Sequence, residues 1–386
     1  MRVLTLSSLF PDASRPRFGP FVERQTIELA AHPDVELKVV APIGLPPMPL
    51  GLHPRYKALR ALPLQERWQG IDVYRPRFAH IPGTSGRFDA AAMVRALLPL
   101  LRTIRQGFAF DVIDASFFFP DGPAAVALGE AIGVPVSIKA RGSDIHFWGH
   151  APATRAQIVG AADKASGLLA VSAALKADMV AMGMAADKIQ VHYTGVDLSL
   201  FAPLPRAETK AALGISGPLI VCVGNLLERK GQRLIGEALS HIPGATLVLI
   251  GGGPDRAALE AKAAALGLAD RVRFTGSIAH AEMAQWLGAA DVFTLASASE
   301  GLANVWVEAL ACGTPIVITD VGGAREVVDR PEAGMLVPPA PAAIAAAINH
   351  LIAAPPPQAK VRAAAERFTW AANQTALYDH LRSLTI

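Results

Sequence analysis

Residues 297–319 read SASEGLANVWVEALACGTPIVIT, and this stretch decides the fold. A short apolar strand ends near Leu295, a loop containing glycine follows, and a helix begins around Asn304. The helix stops before Gly313, and a second apolar run begins at once. Strand, loop, helix and strand in this order form the repeating unit of a parallel α/β sheet.

The same alternation extends in both directions and predicts two doubly wound halves. The predicted strands are Arg2–Ser7, Glu36–Ala41, Asp72–Arg75, Val112–Ala115, Val134–Ala140, Gly167–Val171, Lys188–His192, Leu219–Val223, Thr246–Ile250, Val272–Thr275, Val292–Leu295 and Pro315–Thr319. The predicted helices are Phe21–Ala31, Ala90–Gln106, Gly122–Ile132, Ala173–Met182, Gly231–Leu239, Pro254–Leu266, His280–Ala289 and Val305–Ala311.

Turn residues at Gly195–Pro205 separate the two halves, and a proline run at 355–357 precedes a last amphipathic helix at Thr369–Leu384. We therefore predict a first domain at residues 1–196, a second at 197–368 and a final segment at 369–386. Two doubly wound domains are expected to face each other across a central cleft, where α/β proteins usually bind their ligands.

The composition excludes several classes of protein. With 52% hydrophobic and 18% charged residues, the chain of 386 residues is not intrinsically disordered. Mean hydropathy is +0.33, but the sequence has no uncharged apolar stretch of about 18 residues and no secretory signal, which predicts a cytoplasmic protein. Cys222 and Cys312 lie in apolar runs and are predicted to be buried, reduced thiols.

The net charge of +3 conceals an asymmetry between the halves. Residues 1–196 carry 21 basic and 16 acidic side chains, whereas residues 197–386 carry 15 and 17. Two basic clusters stand out, Arg15, Arg17 and Arg24, and Arg55, Lys57, Arg60 and Arg67. A solvated surface explains any single arginine, but two clusters favour an anionic partner such as a membrane or a phosphorylated lipid. Zinc-finger spacing and RNP aromatics are missing, which argues against nucleic acid.

Two carboxylates flank the start of the helix near Asn304. The amides of Gly301, Leu302 and Ala303 lie at the positive end of the helix dipole and predict an anion site. Glu300 and Glu308 cannot bind phosphate, but they can accept hydrogen bonds from ribose or sugar hydroxyls. The alternative is that Glu300 caps the helix and Glu308 is a surface residue, which the apolar neighbours of Glu308 disfavour.

A second candidate site is Val221–Gly231, with the sequence VCVGNLLERKG. A buried strand leads to a turn at Gly224 and Asn225, and Lys230 is expected to open the next helix. Lys230 can meet a diphosphate there as a point charge, with Arg229 or Arg233 as helpers.

The first half offers two further candidates at strand ends. Gly19 lies between the first strand and first helix, where it would let backbone amides approach a phosphate or an acceptor. Arg141 follows a strand and is expected to face the cleft. Ser143 and Asp144 are candidate acceptor-side residues, and capping of a helix explains them equally well.

Several common motifs are missing from the sequence. The run GGGPDR at residues 251–256 fails as a dinucleotide fingerprint because Arg256 takes the place of the third glycine. Without a D-x-D motif, a metal-dependent diphosphate site of that type is unsupported, and the ten histidines are dispersed. We therefore predict no metal site.

These segments together resemble the family 4 retaining glycosyltransferases, which have the GT-B fold. EGLANVWVEALACGTPIVIT is similar to their E-x7-E segment, VGNLLERKG to their G-R-L-x-x-x-K-G loop, and GVDLSLFAP to their N-G-V-D-x-x-x-F-x-P junction. The R-G-S-D and V-G-N-L variants most resemble the subgroup typified by teichuronic acid biosynthesis transferases.

The resemblance implies roles for individual residues. Glu308 would bind the nucleotide ribose, Glu300 the hydroxyls of the donor sugar, and Lys230 the departing diphosphate. The remaining residues implied on the donor side are Gly19, Gly224, Asn225, Arg229, Gly276, Ser277, Ile278, Gly301, Leu302, Ala303, Asn304 and Val305. The last helix would cross back onto the first domain.

This chain departs from the family pattern at two positions. Asn225 stands where the family has a phosphate-binding arginine, and Arg141 stands where it has a cleft histidine. Lys230, Glu300 and Arg141 remain the candidate catalytic residues.

The predicted activity is transfer of a hexosyl or N-acetylhexosaminyl group, with retention, from a nucleotide sugar. The donor is expected to be a UDP-sugar and the acceptor a polysaccharide precursor or lipid-linked glycan of the cell envelope, with no metal or cofactor. The alternatives are a nucleotide-sugar epimerase of the same fold, a GDP-mannose-dependent transferase, and a regulator that binds nucleotide sugars without transferring them.

Overall fold

A computed structural model describes residues 1–16 and 18–385. Arg17 of the first basic cluster and Ile386 of the predicted final segment lie outside the described residues. The chain forms two compact units, unit 1 (Met1–Thr194 with Trp370–Ile386) and unit 2 (Gly195–Thr369). The predicted limits at residues 196 and 368 lie within two residues of the limits of these units.

Unit 1 is built on an eight-stranded sheet in the order β10-β9-β8-β7-β1-β2-β5-β4, parallel except for β4. Strands β7, β8 and β9 are buried along their whole length, as expected of parallel strands covered by helices on both faces. In chain order the strands are β1 (Arg2–Leu6), β2 (Glu36–Val40), β3 (Ile43–Leu45), β4 (Gln65–Trp68), β5 (Ile71–Tyr74), β6 (Arg77–Ala79), β7 (Val112–Ala115), β8 (Val136–Ala140), β9 (Gly167–Ala170) and β10 (Ile189–Val191).

The helices of unit 1 connect these strands. They are α1 (Pro20–Ala30), α2 (Lys57–Ala61), α3 (Asp89–Gly107), α4 (Asp121–Ile132), α5 (Ser143–His146), α6 (Pro152–Lys164) and α7 (Ala173–Ala181). The sequence prediction lacked α6, β4 and the small parallel pair of β3 and β6. Strands of three residues carry too little alternation to be recognised.

Unit 2 is built on a six-stranded parallel sheet in the order β13-β12-β11-β14-β15-β16. Its strands are β11 (Leu219–Val223), β12 (Thr246–Ile250), β13 (Val272–Gly276), β14 (Val292–Leu295), β15 (Ile316–Thr319) and β16 (Gly334–Val337). Its helices are α8 (Arg206–Ala212), α9 (Gln232–Ala238), α10 (Arg256–Ala265), α11 (His280–Ala289), α12 (Asn304–Ala311), α13 (Ala324–Val327), α14 (Pro341–Ala353) and α15 (Gln358–Arg362).

The last helix, α16 (Trp370–Ser383), belongs to unit 1. Leu377, Tyr378 and Leu381 pack into an apolar cluster with Val3 of β1 and Val112 of β7. A polar contact accompanies this packing, because Ser137 Oγ and His380 Nε2 are 2.9 Å apart in the buried interface. Burial lowers the pKa of His380 to about 4, so its imidazole is neutral at physiological pH.

Much of the hydrophobic content lies in the centres of the two sheets, where strands β7, β8, β9, β14 and β15 are buried along their whole length. Cys222 and Cys312 are both buried and unpaired, which confirms the predicted reduced thiols. Among residues 1–16 and 18–385, none of the helices is long and apolar enough to cross a membrane.

Candidate active site

The candidate residues of unit 2 gather at the carboxyl ends of its strands. Strand β11 continues to β12 on one side, while β14 continues to β15 on the other, so the strand order reverses between β11 and β14. Open α/β sheets bind ligands at such a switch point. The loops that follow β11 and β14 are those that carry Lys230 and Glu300.

Lys230 and Glu300 form an ion pair between these two loops. Lys230 Nζ donates to Glu300 Oε1, and the two side chains are only 14% and 12% exposed. Ser297 Oγ donates to the same carboxylate oxygen at 2.7 Å. Glu300 therefore does not cap α12, and its position is fixed by two donors. The sequence does not mark Ser297 as a site residue, apart from its place three residues before Glu300.

The turn that carries Lys230 differs from the prediction. Glu228–Lys230 form one 3₁₀ turn, and α9 begins only at Gln232, so Lys230 does not open the helix. Gly231 separates the two with a φ of +70°, in the left-handed region that favours glycine. A Cβ atom at Gly231 would lie 2.1 Å from the carbonyl oxygen of Ala296. The glycine thus allows the turn to pack directly against the loop after β14.

Backbone hydrogen bonds fix the Glu300 loop from two sides. Ala298 N donates to Arg229 O at 2.8 Å, which joins it to the Lys230 turn. Gly323 N donates to Gly301 O at 2.7 Å, which joins it to the loop after β15. A Cβ atom at Gly322 would lie 2.0 Å from Glu300 O. Three loops at the carboxyl edge of one sheet therefore position the ion pair.

Glu308 lies in the second turn of α12 and is half-buried. Its carboxylate makes no hydrogen bond or ion pair within residues 1–16 and 18–385, and burial raises its pKa to about 7. An unpaired, partly desolvated carboxylate gains most from donors that a ligand supplies. Vicinal hydroxyl groups of a ribose are donors of that kind.

Among the residues that the structure describes, no side chain caps the start of α12. Ala303 occupies the N-cap position, and Asn304 and Val305 are the first helical residues. With Gly301 and Leu302 they form the segment that was predicted to present amides to an anion. The segment lies between Glu300 and Glu308, so both carboxylates border it.

The turn at Gly224 and Asn225 is built from closely packed backbone. Gly224 N donates to Ile250 O at 2.9 Å, and Gln232 Nε2 donates to Asn225 O at 3.0 Å. The Asn225 side chain is exposed, and Gly251 packs so closely that a Cβ atom would lie 2.1 Å from Gly224 O.

The two arginines proposed as helpers are exposed. Arg229 makes no side-chain hydrogen bond or ion pair within the described part of the chain. Arg233 Nε lies 3.8 Å from Glu237 Oε1. A cavity of about 840 Å³ beside the Lys230 turn is lined by Arg229, Arg233 and Ser297, but not by Lys230, Glu300 or Glu308.

Gly276 is the last residue of β13, the edge strand next to β12, and Ser277 and Ile278 follow it. Gly276 has a φ of +70° with open space where a Cβ atom would lie, and its carbonyl accepts from Gly251 N at 2.9 Å. This places the backbone predicted to hold the base at the same carboxyl edge as Lys230.

The remaining candidates, Gly19, Arg141, Ser143 and Asp144, belong to unit 1. Gly19 is the N-cap residue of α1 with a φ of +61°, and a Cβ atom there would lie 2.0 Å from Leu9 O. Its lack of a side chain is therefore required by the fold of its own loop.

Asp144 organises the loop that carries Arg141. It is fully buried, and its carboxylate accepts from the amides of Phe118 at 3.0 Å, Arg141 at 3.0 Å and Gly142 at 2.8 Å. Gly142 takes the N-cap position of α5, so the alternative explanation, that Ser143 or Asp144 caps this helix, is wrong. Ser143 is exposed, whereas the carboxylate of Asp144 is occupied by backbone donors.

Within the described residues, no three His, Cys, Asp or Glu side chains are grouped so that they could hold a metal ion. His146 Nε2 lies 2.9 Å from Asp178 Oδ2. His192 is buried, and its ring nitrogens make the hydrogen bonds described below.

Two family models match the chain, one almost entirely within unit 1 and one within unit 2. "Glycosyltransferase Family 4" matches residues 54–200, and "Glycosyl transferases group 1" matches residues 217–354. A Bacillus subtilis protein named for teichuronic acid biosynthesis, TuaC, is 30% identical over 91% of this chain and 89% of its own.

Two other relatives match over shorter ranges. A D-inositol 3-phosphate glycosyltransferase of Jonesia denitrificans is 33% identical over 61% of this chain and 62% of its own. A GDP-mannose-dependent phosphatidylinositol monomannoside mannosyltransferase of Mycolicibacterium smegmatis is 36% identical over 42% of this chain and 46% of its own.

Solved structures show the same fold. Anabaena HepE, in complex with UDP, superposes with a TM-score of 0.78 at 22% identity and full coverage of both chains. Sucrose-phosphate synthase of Thermosynechococcus elongatus gives a TM-score of 0.81 at 22% identity, covering 100% of this chain and 99% of its own.

The fold is GT-B, with two Rossmann-like domains, and the class of protein is a glycosyltransferase. The chain belongs to glycosyltransferase family 4. These matches confirm the predicted family and fold and do not favour an epimerase.

Proposed function

We propose that the protein transfers a hexosyl or N-acetylhexosaminyl group from a UDP-sugar to a polysaccharide precursor or lipid-linked acceptor, with retention at the anomeric carbon. The observation that carries this proposal is the Lys230–Glu300 ion pair at the switch point of unit 2, followed in α12 by Glu308, whose carboxylate has no partner among the described residues. Unit 2 would bind the donor and unit 1 the acceptor. Similarity to TuaC supports an acceptor of the cell envelope, and the UDP complex of HepE supports the choice of base.

The bond that breaks joins the anomeric carbon to the β-phosphate oxygen. Negative charge develops on that oxygen, and a cation fixed nearby stabilises it without having to reorganise. Lys230 supplies such a cation on a turn held by backbone hydrogen bonds, assisted by the amides at the start of α12. This arrangement supports a reaction that needs no divalent metal or other cofactor.

Retention is proposed to follow from attack on the same face that the diphosphate leaves. The acceptor oxygen forms the new bond to the anomeric carbon, and its proton passes to the departing phosphate oxygen. Glu300 is held by Lys230 and Ser297, which suits a residue that orients sugar hydroxyls rather than a nucleophile.

The test is an NMR time course with UDP-, GDP- and ADP-sugars, with and without a lipid-linked or oligosaccharide acceptor, in EDTA. The expected result is acceptor-dependent release of UDP and a new glycosidic signal with the donor's anomeric configuration. Interconversion of free UDP-sugars without acceptor would replace the proposal by an epimerase, and transfer from GDP-mannose alone would replace the UDP assignment. Inverted product, or activity only after a divalent metal is added, would overturn those parts of the proposal.

We also propose a peripheral position on the cytoplasmic face of the inner membrane, in exopolysaccharide or cell-envelope synthesis. Unit 1 exposes large apolar side chains within one segment, Met48 at 68%, Leu50 at 61%, Leu52 at 56% and Leu64 at 68%. The same segment carries the exposed cations Arg55 and Lys57. Apolar side chains next to cations match the chemistry of an anionic lipid surface.

Sedimentation with vesicles of phosphatidylglycerol and phosphatidylcholine tests this surface. The wild type should bind the anionic vesicles, and the binding should weaken with salt and in a Met48→Ser, Leu50→Ser, Leu52→Ser variant. Val180→Ser with Leu266→Ser, which removes two exposed apolar side chains elsewhere, is the control and should bind like the wild type. Binding that ignores lipid charge, or that the triple variant retains, would contradict the proposal.

A further inference from the structure

The side chain of Arg141 reaches the switch point of unit 1. In that sheet the strand order reverses between β1 and β7, because β1 continues to β2 and β7 to β8 on opposite sides. Arg141 follows β8, but its Nε donates at 2.6 Å to the carbonyl of Ser116, just past β7. Its guanidinium also lies 4.9 Å from the ring centre of Phe21, in the first turn of α1. The guanidinium therefore lies between the loops after β1 and β7, where α/β sheets bind ligands.

Most of the donors on this guanidinium are unused. An arginine has five N–H groups, and here Nε donates to Ser116 O while Nη2 donates to Gln25 Oε1 at 3.3 Å. Within the described residues the other three N–H groups, including both on Nη1, have no acceptor. The side chain is half-buried, so these donors are fixed in direction yet partly accessible.

Gln25 links Arg141 to a second basic side chain. Its Oε1 also accepts from Nζ of Lys139 at 2.8 Å, and both Gln25 and Lys139 are buried. One amide oxygen thus holds two basic groups from positions 139 and 141. The hydrogen bond from Lys139 Nζ fixes the orientation of the Gln25 amide, and Gln25 in turn fixes the guanidinium of Arg141.

His192 completes this chain of contacts. Its Nε2 lies 2.9 Å from the carbonyl oxygen of Asn373, which can only accept, so Nε2 carries the proton. Nδ1 is then an acceptor, and it lies 2.8 Å from Lys139 Nζ. Burial and the neighbouring cations lower the pKa of both His192 and Lys139 well below their usual values, which agrees with a neutral imidazole.

Burial also lowers the pKa of Arg141, to about 10, and the group stays charged at neutral pH. A fixed, charged fork with three free donors is suited to an oxyanion, because phosphate and carboxylate oxygens accept two parallel N–H bonds from one guanidinium.

We propose that Arg141 binds a phosphate or carboxylate oxyanion of a substrate, and that Gln25, held by Lys139, is the positioning residue for this contact. The inference rests on the proposed transferase function and names the chemistry that unit 1 recognises. Two sources can supply the oxyanion, the diphosphate of the donor and an anionic group of the acceptor, such as a uronate or a lipid-linked phosphate.

Steady-state kinetics with donor and acceptor varied separately test the contact. Arg141→Gln and Arg141→Lys should each raise one KM by tenfold to about a hundredfold, the effect of losing a bidentate charged hydrogen bond. Arg141→Lys keeps the charge but loses the fork, so it should not restore binding fully. Gln25→Met should raise the same KM by less and leave the other unchanged.

Arg105→Lys is the matched control, because Arg105 also donates to a backbone carbonyl, that of Ile132 at 2.7 Å, and lies 5.3 Å from the ring centre of Phe110. It should change neither KM. Thermal unfolding of each variant separates loss of the fold from loss of binding.

Calorimetry with inorganic pyrophosphate and with glucuronate provides a readout that needs no transfer reaction. Wild-type protein should bind at least one of these anions, and Arg141→Gln should not. If no donor supports transfer but this difference holds, the proposed function fails while the oxyanion site stands.

A rise in the KM of the donor would assign the oxyanion to its diphosphate, and a rise in the KM of the acceptor would assign it to the acceptor. If both Arg141 variants keep both KM values and the anion affinities within twofold of the wild type, or lower only kcat, the proposal is overturned.

Discussion

Lys230 Nζ and Glu300 Oε1 are joined in an ion pair that uses the ammonium proposed for the diphosphate and the carboxylate proposed for the sugar. To bind both side chains, a nucleotide-sugar donor would have to replace this ion pair, with its diphosphate bound to Lys230 and its sugar bound to Glu300. Under the proposed function, an intact nucleotide sugar would offer its phosphate oxygens to Lys230 and its hydroxyls to Glu300, whereas the nucleotide product would offer only the phosphates. We therefore expect the pair to favour the intact donor over the product.

Glu300→Gln is expected to tighten UDP binding, because Lys230 no longer has to break an ion pair with a carboxylate before it contacts the phosphates. Lys230→Ala should weaken UDP binding by tenfold to a hundredfold, since a charged hydrogen bond contributes about 1.5–3 kcal/mol. Both variants should transfer sugar slowly. Calorimetric titration with UDP measures the two effects, and Glu300→Gln that binds UDP more weakly than wild type would refute the competition.

Nucleotide affinity should depend on the protonation of Glu308, whose pKa burial raises to about 7. Hydroxyl donors from a ribose favour the carboxylate, so affinity should rise about fivefold to tenfold between pH 6 and pH 8, with release of a proton. Titrations in two buffers of different ionisation enthalpy would detect that proton. Glu308→Gln should bind weakly at every pH, and a pH dependence unchanged in this variant would assign the effect to another group.

The same carboxyl group should make stability depend on pH. Its pKa is raised above the value of 4.5 expected in the unfolded chain, so folding favours the protonated form. Stability is retained below about pH 4.5 and lost as the pH rises through 7, by up to about 3 kcal/mol. Glu308→Gln should therefore melt at a higher temperature than wild type at pH 8 and at a similar one at pH 4.5. An equal gain at both values would exclude ionisation as the cause.

Gly322 should tolerate no side chain. Its φ of +52° disfavours other residues, and a Cβ atom would lie 2.0 Å from Glu300 O, so Gly322→Ala must displace the Glu300 loop. We expect a loss of about 2 kcal/mol or more in the free energy of unfolding, with transfer activity largely lost. Gly267→Ala is the control, because Gly267 has a φ of +68° and open space around it. Equal losses in both variants would show that φ alone, and not the clash, sets the cost.

Truncation of Leu381, which is fully buried in the cluster between α16 and the sheet of unit 1, should cost about 2–5 kcal/mol. Leu266→Ala removes an exposed leucine and should change stability little. Chemical denaturation of both variants makes the comparison. A small effect of Leu381→Ala would mean that α16 contributes little to the stability of unit 1.

Much of the fold could be predicted from the sequence because its strands are short, apolar and separated by turn residues. The predictions for Leu219–Val223, Thr246–Ile250 and Val292–Leu295 agree with the structure to the residue. The prediction lacked α14, an alanine-rich segment at 341–353 whose apolar residues do not separate clearly from polar ones. It also lacked the four-residue strand β16, which pairs with β15.

The contacts of the site were harder to predict, because they join residues far apart in the chain. Gln25 and Lys139 are separated by 114 residues, and no local pattern relates them. A lysine in the buried strand VSIKA was the one signal available in that region, since a buried amine requires acceptors. Lys230 and Glu300 were recognised by their motifs, while their direct contact was not.

Unit 1 is made of two chain segments, one before and one after unit 2 in the sequence. Helix α16 is therefore synthesised only after all of Gly195–Thr369. On the ribosome, Val3, Leu29 and Val112 therefore lack their contacts with α16 while unit 2, a continuous stretch of the chain, is made and can fold. Unit 2 can therefore be completed before unit 1, although unit 1 begins first in the chain. Nascent chains stalled before Trp370 should be the species most in need of a chaperone.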